Sequence, residues 1–164
     1  MSDVRRLASK RYYEYRHVVG FEETNLVGDI YHVNYGRWQD RCREMFLLQH
    51  APDLLDASYG NLTLSMVSSE YECLAEVAAF DEVSVRMRLE EMAPTHFSLA
   101  FDFVRLRDGV EQLVAQGRQW VACLREADGA IAPTRVPASL VAALDDYAII
   151  PVTYAVAAGT GGRG

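Results

Sequence analysis

The sequence predicts an α+β fold, an antiparallel five-stranded curved sheet wrapped around one long central helix, and three observations carry that prediction. A segment near the start alternates at period two and is rich in aromatic and β-branched residues, a single stripe at helical spacing follows a long loop, and four more period-two segments fill the middle of the chain. One apolar helix and five strands bury their apolar faces together when the sheet curls and the helix lies across its concave side.

The first strand is expected over residues 12 to 20, where Tyr13, Tyr15, His17 and Val19 alternate with Tyr12, Glu14, Arg16 and Val18. Residues 22 to 33 hold no sustained period and contain Asn25, Gly28 and Asp29, types that tolerate turns and left-handed backbone. They read as a long ordered loop of the kind that often carries function. Asn34 is placed as the helix N-cap. Tyr35, Trp38, Cys42, Met45, Phe46 and Gln49 then fall on one stripe, Arg37, Asp40, Arg41 and Glu44 lie off it, and the helix should stop before Pro52.

Four strands follow near residues 62 to 77, 81 to 93, 95 to 107 and 111 to 125, expected as an antiparallel meander. In the second, Val83, Val85, Met87 and Leu89 face a core while Ser84, Arg86, Arg88 and Glu90 face water; the third repeats the logic with Phe97, Leu99, Phe101 and Phe103. Asp108-Gly109 supplies the positive φ of a tight hairpin. A short helix is expected over 137 to 146, and Gly159 to Gly164 has too little apolar surface to offset its ordering entropy. The expected organisation is one domain over residues 1 to 150 and a flexible tail over 151 to 164.

With 164 residues, half of them apolar, the chain can bury a core without metal or disulfide. Cys42, Cys73 and Cys123 have no zinc-ligand spacing and read as reduced packing residues, which with the absence of a secretion signal or a membrane-length apolar run points to a cytoplasmic location. A net charge of −7 disfavours nucleic acid, which is held through many Lys and Arg contacts to phosphate. No cofactor or metal is expected. Arg5, Arg6, Lys10, Arg11 and Arg16 crowd the N-terminal end, where they form either a solvated arm or a patch that docks an acidic partner. His17, His50 and His96 sit in no nucleophile-elbow context, so a Ser-His-Asp or Cys-His arrangement has little support.

The segment from Phe21 to Trp38, with its Gly28-containing loop and the run Asn34-Tyr35-Gly36-Arg37-Trp38, resembles the signature of hot-dog thioesterases of the 4-hydroxybenzoyl-CoA type. In that family an Asp ten positions before the Tyr acts as nucleophile or general base; here that position is Asn25. An amide cannot ionise, but it can donate a hydrogen bond. The thioesterases of enediyne polyketide biosynthesis resemble this chain more fully, carrying Asn there, a Tyr at the helix start and an Arg further along, which map onto Asn25, Tyr35 and Arg43. The resemblance implies a catalytic set of Asn25, Tyr35, Arg43 and the backbone N–H of His32. It implies as substrate a long polyene β-ketoacyl chain on the acyl carrier protein domain of an iterative polyketide synthase, released as an acid and decarboxylated. It also implies a homo-oligomer, a dimer or a dimer of dimers paired edge to edge.

A thioester needs mainly stabilisation of negative charge on its carbonyl oxygen, and each oxyanion-hole donor is worth about 2.7–4 kcal/mol. Asn25 and the amides at the helix start are placed to give it. Arg43, eight residues past Tyr35, lies ~80° round the helix and ~12 Å along it, so it is assigned to a second oxygen, the β-keto group or the product carboxylate. Trp38, Met45, Phe46, Phe97, Phe101 and Phe103 are either an acyl tunnel or ordinary core. Glu44, Glu70 and Glu72 are the remaining carboxylates available as a base. The rival functions are a general acyl-CoA thioesterase and a non-catalytic polyene or acyl-chain binding protein.

Overall fold

The computed structural model describes residues 11–25, 32–56, 60 and 62–149. Strand β1 is Tyr13–Val18, followed by a 3-10 turn at Phe21–Glu23; helix α1 is Val33–His50, followed by a 3-10 turn at Pro52–Leu55. Then come β2 Leu62–Cys73, β3 Glu82–Met92, β4 His96–Arg107, β5 Val110–Ala127, β6 Ala130–Pro133 and helix α2 Ala138–Asp145. The glycine-rich tail lies outside the described residues.

The sheet is antiparallel throughout, in the order β1-β3-β4-β5-β2, with β6 added to β5. The five expected strands are present. The sixth follows Asp128-Gly129, whose φ values of 53° and 76° repeat those of the hairpin at Asp108-Gly109. The expected meander holds only for β3-β4-β5 and is otherwise corrected. Strand β2 crosses the sheet and pairs with β5 from Leu62 opposite Arg125 to Cys73 opposite Ala115. The chain cannot turn straight from β2 into β3 because Leu74 and Ala75 both donate to Val114 O, at 2.8 and 3.1 Å, which carries it on along β5. The link then reaches the end of β1, where Phe80 N donates to Val19 O at 2.7 Å.

Bulges between Met66 and Ser68, Leu89 and Glu91, and Phe103 and Val104 bend three strands and increase their twist, so the sheet curls around α1. Val85, Met87 and Leu89 stand opposite Phe103, Phe101 and Leu99, and all six are buried with Trp38, Cys42 and Phe46 of α1. Each large side chain buried here stabilises the fold by about 1.5–3 kcal/mol. The five aromatic residues weighed as a tunnel lining are buried core in this chain, and Met45, weighed with them, is partly exposed.

Two further expectations change. Asn34 is not the N-cap: the helix begins two residues earlier, at Val33 with His32 at the cap, and the Asn34 side chain donates to Glu23 O at 2.8 Å instead. The outer face of β3 is not simply wet. Ser84 is fully buried, bonded to Glu14 and Arg86, and the Arg86 guanidinium lies over the Tyr12 ring at 4.7 Å while pairing with Glu111 at 2.7 Å. Beyond α2 the chain returns to the sheet, with Ile149 N donating to Leu89 O at 2.9 Å.

Candidate active site

The chain that leaves β1, described as far as Asn25, is fixed by one carboxylate; residues 26–31 of the expected loop lie outside the described residues. Glu23 accepts from Gly20 N–H at 2.8 Å and Trp38 Nε1 at 2.7 Å and meets His17 Nε2 at 2.6 Å. Burial pushes its carboxyl up, but these bonds outweigh burial and hold it below the ordinary carboxylate value. With Asn34 bonded to Glu23 O, the segment is tied to the first two turns of α1. Asn25 follows two residues later, half-buried, so its backbone lies within about 7 Å of this anchor. Sequence reasoning missed Glu23, although a Glu three residues after Gly20 and just before the candidate Asn was visible.

At the same end of α1 stands Tyr35, buried among Trp38, Phe103 and Tyr71 with ring centroids 5.2, 5.2 and 5.7 Å away. Burial first, and then the Cys73 thiol against its hydroxyl, push its ionisation well above the usual phenol range. It is thus a neutral hydroxyl that can donate a hydrogen bond and cannot serve as a phenolate base near neutral pH. His32 is exposed at the helix start; its ring stacks on Tyr71 and its Nδ1 lies 3.4 Å from Cys73 Sγ. Its carbonyl accepts from Tyr35 N–H at 3.1 Å, and its own N–H bonds to no described residue. Cys73 is therefore not a packing residue, as the sequence suggested: it is exposed, whereas Cys42 and Cys123 are buried, and all three are free thiols.

Arg43 belongs to a second station two turns along the helix. Its Nη1 donates to Gln119 Oε1 at 2.5 Å and to Asp40 Oδ1 at 3.3 Å, and Gln119 Nε2 donates to the same Asp40 oxygen at 2.8 Å. Beside it runs an apolar crevice, too narrow for a water molecule, between Phe46 and Leu47 of α1, Phe97 and Leu99 of β4, and Leu140 and Leu144 of α2. The structure thus brings His32 and Tyr35 together at one end of α1, with Asn25 two residues beyond the Glu23 anchor, and sets Arg43 apart, in keeping with the ~12 Å that eight helical residues span.

None of the three carboxylates considered as a base reaches either station. Glu44 pairs with Arg41 at 3.6 Å on the exposed helix face. Glu70 and Glu72 point to the convex face of the sheet, where they line an ion-paired depression with Glu90, Asp102 and Arg118. The carboxylate at the Arg43 station is Asp40, which sequence reasoning placed off the apolar stripe, and the one at the Tyr35 end is Glu23. Among the described residues no group of three or more His, Cys, Asp and Glu converges as a metal site, and no helix is long and apolar enough to cross a membrane.

Comparison with known proteins agrees with this architecture. The model of the thioesterase-like superfamily matches residues 19–144. The dynemicin thioesterase, whose crystal structures reveal induced-fit and allosteric effects upon polyene binding, is 46% identical and superposes with a TM-score of 0.81 over 85% of this chain and 99% of that one. The 4-hydroxybenzoyl-CoA thioesterase from Pseudomonas sp. strain CBS-3 shares the fold at 16% identity, with a TM-score of 0.69 over 81% of this chain and 99% of that chain. A 1,4-dihydroxy-2-naphthoyl-CoA thioesterase from Synechocystis does so at 17% identity, with a TM-score of 0.69 over 82% and 96%. No curated protein sequence matches the chain. The chain belongs to the thioesterase-like superfamily and is a hot-dog acyl-thioester hydrolase.

Proposed function

We propose that this enzyme releases a long polyene β-ketoacyl chain from the acyl carrier protein domain of an iterative enediyne polyketide synthase in the cytoplasm, and that the freed β-keto acid then loses carbon dioxide. The observation that carries this reading is the 46% identity to the dynemicin thioesterase over nearly all of that protein, a thioesterase that binds a polyene.

In this mechanism Asn25 and the His32 N–H donate to the thioester carbonyl oxygen, and Tyr35 adds its neutral hydroxyl from the same end of the helix. Water adds to the polarised carbon, the tetrahedral oxyanion is held by those donors, and the carbon–sulfur bond breaks as a proton of the added water passes to the departing sulfur, which leaves a thiol and an acid. No carboxylate takes the proton from water in the first step, which sets this site apart from relatives that keep Asp. Arg43 reads the β-keto oxygen and, after hydrolysis, the new carboxylate.

A homo-oligomer completes the proposal. Strand β2 is an edge strand in the single chain, twelve residues long, with Met66 and Val67 exposed by 44% and 68%. Such an edge is an aggregation hazard unless it is paired, and pairing two copies through β2 would set Tyr71 and Cys73 beside the seam. An acidic carrier protein would meet Arg11, which is exposed. Arg16 is less available, since it already pairs with Glu14 and Glu82.

The test is thiol release from a β-ketoacyl carrier protein and from aliphatic acyl-CoA, with mass spectrometry of the product. Preference for the carrier-bound β-keto chain and a methyl ketone or polyene product are expected. Equal turnover of acyl-CoA would favour a general acyl-CoA thioesterase, and polyene binding without thiol release would favour a binding protein.

A further inference from the structure

Helix α1 and strand β5 share a partly buried hydrogen-bonded ring that the carbonyl-polarising groups do not use. Gln119 is wholly buried, and it accepts from Arg43 Nη1 while donating through Nε2 to Asp40 Oδ1. Arg43 Nη1 also reaches that Oδ1. Three side chains from two elements therefore hold one another, and each bond fixes the geometry of the other two.

The consequence for the guanidinium is directional. Both of its bonds leave from Nη1, and neither Nε nor Nη2 bonds to a described residue. A guanidinium is a rigid planar fork, so anchoring one nitrogen to two acceptors orients the plane and leaves the Nε/Nη2 edge for a ligand. That edge presents two parallel N–H groups, the arrangement that suits one or two oxygens in a plane. The Arg43 side chain is only 17% exposed and the side chains packed beside it are apolar, so the edge suits an oxygen carried on an apolar ligand better than a hydrated ion.

We infer that Gln119 is a positioning residue which, with Asp40, presents the free edge of Arg43 to the second oxygen of a β-ketoacyl thioester and so sets the preference for β-keto over plain acyl chains. This rests on the role given to Arg43 in the proposed function. Gln119 suits the task because its amide accepts from the cation at one atom and donates to the anion at the other; a Glu would neutralise the fork, and an apolar residue would leave Nη1 with a single partner.

The experiment measures kcat and KM of the full-length protein with β-ketododecanoyl and dodecanoyl thioesters of N-acetylcysteamine, for the wild type, Gln119→Met, Asp40→Ala and Arg43→Ala. For Gln119→Met the ratio of kcat/KM on the β-keto substrate to that on the plain substrate should fall roughly tenfold, because a reacting group displaced by about an ångström loses up to a hundredfold in rate. Arg43→Ala should lower the same ratio further. A selective loss in Arg43→Ala with none in Gln119→Met, or with equal losses on both substrates, overturns the positioning role and leaves the reading of Arg43 standing. No selective loss in Arg43→Ala overturns both. Should Gln119→Met fail to fold, Asp40→Ala carries the same test: that side chain is 39% exposed, it removes two of the three bonds of the ring, and the same selective loss is expected.

Discussion

The two flanks of helix α1 meet the sheet in opposite ways. Along one, Trp38, Cys42 and Phe46 pack against Val85, Met87, Phe101 and Phe103, all of them buried. Along the other, Tyr35, Gln39 and Arg43, four residues apart, form a row over β2 and β5 that is held by side-chain hydrogen bonds, those of Arg43 running from Nη1 to Gln119 and Asp40. Gln39, fully buried, accepts from Ser69 Oγ at 2.9 Å and donates to Glu70 O at 3.3 Å. A buried polar group contributes little net stability even when satisfied and costs heavily when it is not. The apolar seam holds the helix in place; the polar seam adds orientation, which apolar packing alone supplies poorly.

The largest way to break that contrast is Phe46→Ala, which should lower stability by about 3–5 kcal/mol in chemical denaturation, the usual loss for an aromatic in a well-packed core. Gly117→Ala acts on the polar seam. A Cβ at Gly117 would lie 1.7 Å from Gln39 Nε2 and 2.9 Å from Glu70 O, so the substitution should cost about 1–3 kcal/mol by overpacking. Adding Gln39→Ala should return part of that loss, and a double-mutant cycle with no coupling between the two would show that the seam is not as tight as its geometry. Trp38→Phe retains most of the apolar packing and removes only the indole donor to Glu23, with an expected cost of about 1.5 kcal/mol for a hydrogen bond to a charged group.

The smallest expected effect is a pH dependence. Burial raises the Glu23 carboxyl, while Gly20, His17 and Trp38 together bring it below its ordinary value of 4.5. A depressed folded-state value means that the stabilisation is complete above the ordinary value and is lost as the pH falls through the lower folded one. The stability gap between wild type and Glu23→Gln should therefore close below pH 4.5 and stay open on the neutral side; a gap that closes only as the pH rises would contradict the sign.

Much of the fold was legible because periodicity reports burial. β1, α1, β3, β4 and β5 each carry a one-sided apolar pattern, and the Asp108-Gly109 turn announces itself. Strand β2 was legible as a strand but not in its pairing, since alternation tells which face is buried and not which neighbour lies alongside. β6 was missed because its four residues, Ala130 to Pro133, are all exposed and show no period, although Asp128-Gly129 repeats the turn just used. At the site, the spacing of Asn25, Tyr35 and Arg43 was readable as a motif. Gln119 and Gly117 were not, because nothing in β5 marks them as facing residues 43 and 39; that pairing exists only after the sheet has curled.

In the proposed mechanism a neutral amide at Asn25 polarises the thioester carbonyl, in place of a carboxylate that would deprotonate water. The most direct measurement is the turnover of Asn25→Ala on a β-ketoacyl carrier protein under single-turnover conditions, with folding checked by thermal denaturation. Loss of one oxyanion donor should slow release by roughly 10²–10³-fold. Release at the wild-type rate by the folded variant would contradict the claim.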